Sequence, residues 1–475
     1  MMPKTRGERA GVARGLAVAA VAVVLALLAA QAWGPLSAGS ASGQPASSPP
    51  VGAASGSSGQ AGDVVPGSPV ASGASSPAPS PTPTAGEPSP TSSAGPNPAL
   101  LAPKLQGALD QTRAQLKIPG VSAAILWDDG QSWVGASGLR DIASAAPMIP
   151  DTAFALASIS KTFTAAVVLQ LVEEGRLGLD QPVAPLLPKF RLDPRITVRM
   201  LLDHTSGLPD FFMARGIDAA LQAHPNATWT AMQSWAFVPK KHAVPGPSWY
   251  YSNTNYLLLG ELVSAITGNP LAHEVRTRLL DPLGLDTAYY QAVEAPRETG
   301  TNAYTLIPLA GGGYRVRLVA PKTDVMPFRS VVTAAGGAGS LAATALDVAR
   351  WMHAWAGGLV LNPDMQAQML ADIARTMRLH ARIPYGLGIE RRSILGYTAY
   401  GHSGRYIGLR NIVCYVPDMG VTIAVLTNQN TVDPTRIATP LLRLLLPGPP
   451  PSASPAASAS PSASPAPTSS SPSPS

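Results

Sequence analysis

Residues 154–175 read FALASISKTFTAAVVLQLVEEG. From Thr162 onward it is apolar on nearly every side, through Ala165, Ala166, Val167, Val168, Leu169, Leu171 and Val172. A helix without a polar face is one that the fold buries. Gly175 stands where the residue after a helix C-terminus belongs. At the opening of the stretch, Ser158 and Lys161 lie three residues apart, a spacing that puts both on one helical face. A serine hydroxyl is a weak nucleophile until a neighbouring base takes its proton. A lysine wedged among apolar side chains resists carrying charge, and its pKa falls toward the range of a useful base. The helix N-terminus adds partial positive charge beside the nucleophile. The pattern is short, and average composition supplies about one or two S-x-x-K tetrads in a chain of this size. Here there is a single one, and it opens the most apolar helix of the sequence.

On the N-terminal side, Leu101, Leu105, Leu109 and Leu116 fall near one helical face that ends before Pro119-Gly120. Residues 121–127 then read as a strand, Asp128-Asp129-Gly130 as a tight turn, and 132–136 as the hairpin partner. On the C-terminal side, residues 179–329 carry helical patterns, Pro-bounded loops and few strand signals. Strands return at 412–416 and 421–427, flanking the turn Pro417-Asp418-Met419-Gly420. An amphipathic run at 435–446 reads as a helix packing on that sheet. Strands at both ends with helices between predict an α+β fold. Its sheet lobe, an antiparallel sheet flanked by helices, is expected from about 99–178 and 330–446, with a helical lobe of about 179–329 inserted.

The domain is expected to occupy 99–446 of the 475 residues, because the 49 Pro and 44 Gly are unevenly placed. Residues 33–98 and 447–475 are almost entirely Ala, Ser, Gly, Pro and Thr. Such tracts lack the large apolar side chains that offset ordering entropy and are expected to be disordered, extended spacers. Residues 1–32 carry Lys4, Arg6, Arg9 and Arg14, then an unbroken apolar run, then Ala30-Gln31-Ala32. That is the plan of a cleaved signal peptide or of an uncleaved N-terminal membrane anchor. Either predicts export, with the chain secreted or tethered to the outer face of the cytoplasmic membrane. Half of the formal net charge of +6 belongs to this leader. The remainder shows no basic cluster with interleaved aromatics, so no nucleic-acid partner is expected. Cys414, the single cysteine, reads as a small core residue within a buried strand. No cluster of metal-ligating residues stands out, so neither a metal nor a cofactor is expected.

Two further motifs carry chemistry. Tyr251-Ser252-Asn253 is the single Y-x-N of the chain. A tyrosine hydroxyl beside a lysine amine can pass a proton between nucleophile and leaving group. Asn253 can accept from Lys161 and donate to a substrate amide. The same residues would also serve as a polar loop before a helix over 256–267. His402-Ser403-Gly404 is the single H-x-G, placed just before the strand expected at 407. A strand beside the nucleophile can hold substrate edge-on and lend a backbone N–H to an oxyanion. A glycine beside a histidine before a strand is equally ordinary as plain structure.

In this order the three motifs resemble those of the penicillin-recognising serine enzymes: class C beta-lactamases, D-alanyl-D-alanine carboxypeptidases, and the esterases and D-aminopeptidases similar to them. The resemblance covers nearly the whole domain. Residues 154–165 are similar to the family's nucleophile segment throughout, and Leu201-Leu202-Asp203-His204-Thr205-Ser206-Gly207-Leu208-Pro209 to its H-T-S-G-L loop. Ala335-Gly336-Gly337 with Ser340, followed by 347–351, resembles its glycine-rich turn and helix. The resemblance implies a beta-lactamase/transpeptidase-like fold, Ser158 as acylated nucleophile and Lys161 as its base. It implies Tyr251 as proton donor to the leaving group and activator of the deacylating water, and Asn253 as a substrate-orienting amide. The backbone N–H groups of Ser158 and Arg405 would hold the oxyanion. His402, Ser403, Gly404 and Arg405 would line the substrate strand, with His204 and Gly336-Gly337 as structural supports. His402 stands where beta-lactamases have lysine, which favours the carboxypeptidase and esterase branches over efficient beta-lactam hydrolysis. Arg405, or Arg391 or Arg392 one strand earlier, could pair with a substrate carboxylate. The expected activity is therefore acyl transfer from a D-alanyl-terminated wall peptide to water by a monomer. The alternatives are ester or beta-lactam hydrolysis, and a quiet groove that only binds muropeptides or beta-lactams.

Overall fold

Strands from the two ends of the domain meet edge to edge. A computed structural model of the chain describes residues 98–309, 314–319 and 325–446; the expected leader, most of the expected spacer and the expected tail lie outside them. Strand β1 (Gly120–Trp127) pairs antiparallel with β2 (Ser132–Asp141) on one side. On its other side it pairs with the last strand, β7 (Val421–Thr427), setting Ala124 opposite Ala424. With β3 (Ala146–Pro147), β4 (Glu390–Ile394), β5 (Tyr397–Tyr406) and β6 (Leu409–Val416), the sheet order is β3-β2-β1-β7-β6-β5-β4, every neighbour antiparallel.

β1 is buried along its whole length, so both faces of the sheet are covered. Alternation sends Val121, Ala123 and Ile125 to one side, where they pack with Leu105 and Leu109 of helix α1 (Pro98–Leu116). Ile437, Ala438, Leu441 and Leu442 of the C-terminal helix (Thr435–Arg443) complete that layer. Ala124 and Leu126 face the other side, the larger core that contains helix α2 (Ser160–Glu173). The result is an α+β fold with one helical layer on each face of an antiparallel sheet.

α2 is the centre of that larger core, apolar all round as its sequence requires. Phe163 stacks on Trp351 at 3.9 Å between ring centroids, and the Trp351 indole N–H donates to Thr162 Oγ1 at 2.8 Å. On another face α2 meets helix α3 (Asn253–Thr267) and the glycine turn at Gly336–Ala338. A Cβ on Gly337 would lie 2.5 Å from the Tyr256 carbonyl oxygen, so only glycine lets these backbones approach. Gly175, at φ +70°, ends the helix in the left-handed conformation expected of it.

Four features differ from the sequence reading. Ser158 is not in the α-helix but in a 3-10 turn, Ala157–Ile159, that precedes it. α3 begins at Asn253 rather than Tyr256, with Ser252 as its N-cap, so the Y-x-N motif enters the helix instead of ending before it. His402, Ser403 and Gly404 lie inside β5, and the next strand starts at Leu409, not 407. The turn is made at Gly408, with φ +81°. Gly401 and Gly404 sit in mid-strand because other backbone closes on them: added Cβ atoms would meet Val413 O at 1.9 Å and Leu156 O at 2.0 Å. Finally, a hairpin, Tyr304–Pro308 with Tyr314–Leu318, falls inside the mainly helical stretch 179–329.

Candidate active site

The nucleophile candidate is presented by a strained corner. Ala157, a non-glycine residue, has φ +50°, a conformation that costs roughly 1–2 kcal/mol. Its neighbours hold it: Leu156 N donates to Leu341 O at 2.8 Å, and Asn411 Nδ2 donates to Ala155 O at 2.8 Å. The 3-10 turn to which Ala157 and Ser158 belong runs directly into the first turn of α2, which carries Lys161. Ser158 and Lys161 are thereby brought together, with Lys161 Nζ 2.9 Å from Ser158 Oγ.

Lys161 is fully buried. Besides Ser158 its amine donates to Asn253 Oδ1 at 2.7 Å and to the Ala338 carbonyl at 2.9 Å. The glycine-rich turn thus supports the chemistry by delivering a carbonyl to the lysine. No carboxylate touches Nζ among the described residues. Burial accordingly pulls the Lys161 pKa down to about 7, with Asp210 and Glu390 pulling back at longer range. An amine of that kind is half neutral near neutrality and able to take the serine proton.

Tyr251 is placed one residue before the α3 N-cap. The Lys161 amine lies 5.0 Å from the centre of its ring, and the His204 ring packs against it at 4.4 Å. Burial drives its phenol well above the ordinary value, with the Ser158 hydroxyl as a hydrogen-bonding neighbour that opposes the rise. Tyr251 is therefore a neutral phenol at rest. His204 is the support it was expected to be. Its Nδ1 accepts from Ser252 N and from Asn255 Nδ2, both at 3.2 Å, tying the H-T-S-G-L loop to the start of α3.

The third motif is built differently from its expectation as substrate-binding wall. The His402 ring is buried, and both nitrogens have partners: Nδ1 donates to Ser403 O at 2.6 Å and Nε2 accepts from the Tyr385 hydroxyl at 2.9 Å. Burial lowers its pKa to about 4, so the ring is neutral. Ser403 is bound to Glu390 through both its N–H and its hydroxyl, each at 3.2 Å. Arg392 is occupied too, Nε and Nη2 donating to Glu390 Oε2 at 2.7 and 2.6 Å. Arg391 reaches only the Met377 sulfur, at 3.5 Å. Arg405 alone of the three arginines borders the cleft that contains Ser158 and Asn253. Gly404 packs against Leu156, fixing the distance between β5 and the nucleophile turn. Cys414 is buried in β6, its thiol pushed up by burial to about 12, as inert as a core residue should be.

Three site residues escaped the sequence reading. Asp210, the residue after the quoted loop, accepts from Asn253 Nδ2 at 2.7 Å. Glu390 anchors Ser403 and Arg392 and lies 3.6 Å from His402 Nδ1. Tyr385 caps His402. The one available signal was position: an acid directly after H-T-S-G-L-P, and an acid opening a strand next to the H-x-G strand. The cleft itself has a volume of about 380 Å³, and beside Ser158, Asn253 and Arg405 its wall carries the apolar Phe212, Leu221, Phe328 and Val331 together with the polar Asp218, Gln222 and Asn430. Among the described residues no group of three or more His, Cys, Asp or Glu could hold a metal ion.

Similarity to known proteins follows the same residues. The family model described as Beta-lactamase matches residues 105–446. Penicillin-binding protein 4 of Amycolatopsis lactamdurans is 30% identical over 357 residues, covering 72% of this chain and 88% of that protein. Esterase EstB of Burkholderia gladioli is 30% identical over 320 residues, 62% of this chain and 77% of the esterase. Among solved structures, a D-stereospecific amidohydrolase from Streptomyces sp. superposes with a TM-score of 0.60 at 29% identity, covering 71% of this chain and 97% of that one. A serine held by a buried lysine, in this fold and with these relatives, leaves one assignment: the chain belongs to the Beta-lactamase family, serine hydrolases of the penicillin-binding-protein kind.

Proposed function

We propose that the chain is an exported hydrolase that forms an acyl-enzyme on Ser158 and acts on D-alanyl-terminated cell-wall peptides. The observation that carries this reading is the 2.9 Å contact between Ser158 Oγ and a lysine amine that burial has brought to about pKa 7. Lys161 takes the hydroxyl proton as Oγ bonds to the carbonyl carbon. The oxyanion is held by the backbone N–H groups of Ser158 and Arg405, both at the cleft. The C–N bond breaks as Tyr251, protonated at rest, gives its proton to the leaving amine and is reprotonated through Lys161. Water then attacks the ester, delivering a proton back along the same path. Asn253 orients the acyl amide, and the Arg405 guanidinium meets a substrate carboxylate. The amidohydrolase and penicillin-binding relatives support an amide substrate with a D-centre.

A short acyl ester is the second reading. It is favoured by the apolar side chains of Phe212, Leu221, Phe328 and Val331 on part of the cleft wall, and by the likeness to esterase EstB. The test is intact-mass detection of an adduct after incubation with benzylpenicillin, beside a Ser158→Ala control. One penicilloyl mass on the wild type and none on the variant is expected. Equal adduct on both removes Ser158 as nucleophile, and no adduct on the wild type counts against penicillin recognition. Release rates on a D-Ala-D-Ala peptide, a cephalosporin and a short ester then rank the substrates.

A further inference from the structure

A neutral lysine amine has two N–H donors and one lone pair. In this site two fixed acceptors, Asn253 Oδ1 at 2.7 Å and Ala338 O at 2.9 Å, take the two hydrogens. The lone pair is left facing the Ser158 hydroxyl at 2.9 Å. That geometry depends on Asn253 turning its oxygen, not its NH₂, toward the lysine. A side-chain amide has no intrinsic reason to choose. The choice is made on its other side, where the Asp210 carboxylate can only accept and takes Nδ2–H at 2.7 Å.

Asp210 is itself held. Its Oδ1 accepts from Phe212 N at 3.0 Å. On either side of it, the Thr254 hydroxyl donates to Pro209 O at 2.6 Å and accepts from Phe211 N at 3.1 Å. Thr254 is the second residue of α3, so the loop carrying Asp210 is stapled to the helix turn carrying Asn253. We infer that Asp210 is a positioning residue for acylation: through Asn253 it aims the Lys161 lone pair at the Ser158 hydroxyl. This rests on Ser158 and Lys161 being nucleophile and base.

The groups that face Lys161 are Asn253 and Tyr256 from α3, Tyr251 before it, His204 and Asp210 from the loop, His402 from β5 and Glu390 from β4. Only Asp210 and Glu390 among them bring negative charge. The inference therefore makes two separable predictions. Asp210→Asn frees the amide and lowers the acylation rate at its alkaline plateau roughly 10- to 100-fold, the scale of a slightly misplaced catalytic group. It also removes an anion that favours the ammonium form, so the acid limb of kcat/KM moves to lower pH. Asp210→Glu keeps the charge with a longer arm, and loses rate while its acid limb stays at the wild-type position.

The decisive measurement is a double-mutant cycle on acylation by a chromogenic ester, with pH profiles and thermal unfolding of each variant. If Asp210 acts through Asn253, adding Asp210→Asn to Asn253→Ala costs little more than Asn253→Ala alone. Losses that multiply, or an acid limb that Asp210→Asn leaves in place, overturn the inference. Where Asp210→Asn fails to fold, Asp210→Glu decides it: a wild-type acylation rate overturns it. A Ser158 adduct on the wild type together with wild-type behaviour of the Asp210 variants rejects this inference alone. Absence of that adduct rejects the functional reading beneath it.

Discussion

Lys161 and Arg392 are both basic and both withdrawn from solvent, yet they have been given opposite surroundings. Arg392 lies against a buried carboxylate, two of its nitrogens donating to Glu390 at 2.7 and 2.6 Å. Burial works against its charge, Glu390 outweighs it, and the guanidinium is held above its ordinary pKa. Among the described residues Lys161 hydrogen-bonds only neutral partners, a hydroxyl, an amide oxygen and a backbone carbonyl. Its nearest carboxylate, Asp210, is one asparagine away. The same low-dielectric interior thus keeps one residue a permanent charge paired within its own strand, and leaves the other able to exist as a neutral amine. Reactivity here comes from withholding a counter-ion, and stability from supplying one.

The comparison breaks most severely if Lys161 is made into a second arginine. Lys161→Arg keeps a cation at the site but one that cannot release its proton. General-base assistance is worth about 10²–10⁴ in rate, so acylation by a chromogenic ester, followed by stopped flow, is expected to fall about 10³-fold. A loss under tenfold would move the base to Tyr251. The converse change acts on stability. Glu390→Gln removes the buried carboxylate that the half-buried Arg392 charge rests on and weakens the hold on Ser403 as well. A loss of about 3 kcal/mol in urea unfolding is expected, the scale of breaking a buried pair from one side. An unchanged midpoint would mean that the pair is wet in solution.

How much of this was legible in the sequence depends on how local each feature is. The β1–β2 hairpin, α2 with its Gly175 end, and the pairing of Ser158 with Lys161 are set by residues within one or two turns of each other. They were readable in place. The H-x-G motif was placed ahead of a strand rather than inside one, because nothing nearby marks Gly401 and Gly404 as strand residues. Their real constraint is the approach of Val413 and Leu156, which no local pattern contains. Asp210 and Glu390 were invisible for a similar reason. Asp210 matters through a residue 43 positions away, and Glu390 through a neighbouring strand. Nor could spacing tell that His402 would be sealed beneath Tyr385 instead of facing the cleft. The motifs located the chemistry, while the charges that tune it came from segments that only the fold brings together.

The smallest expected effect tests the withheld counter-ion most directly. Asn253→Asp replaces the amide with a carboxylate at nearly unchanged shape, moving an anion from Asp210's distance into contact with Nζ. An opposite charge in contact favours the charged form, here by a pKa unit or more. Burial brings Lys161 down to about 7, and the proposed mechanism needs it neutral, so on that mechanism activity should fall as pH drops through that value. In the variant the acid limb should lie at least about one unit higher, and acylation at pH 6 should be slower by about tenfold. At alkaline pH, where the amine is neutral in both proteins, most of that difference should disappear. The new carboxylate also faces Asp210, and the like-charge pair would hold a proton between them if the limb does not move. A kcat/KM profile from pH 5 to 10 separates the cases: a limb displaced upward means that the lysine lost its isolation, whereas a uniform drop at every pH means that Asn253 matters only for holding substrate.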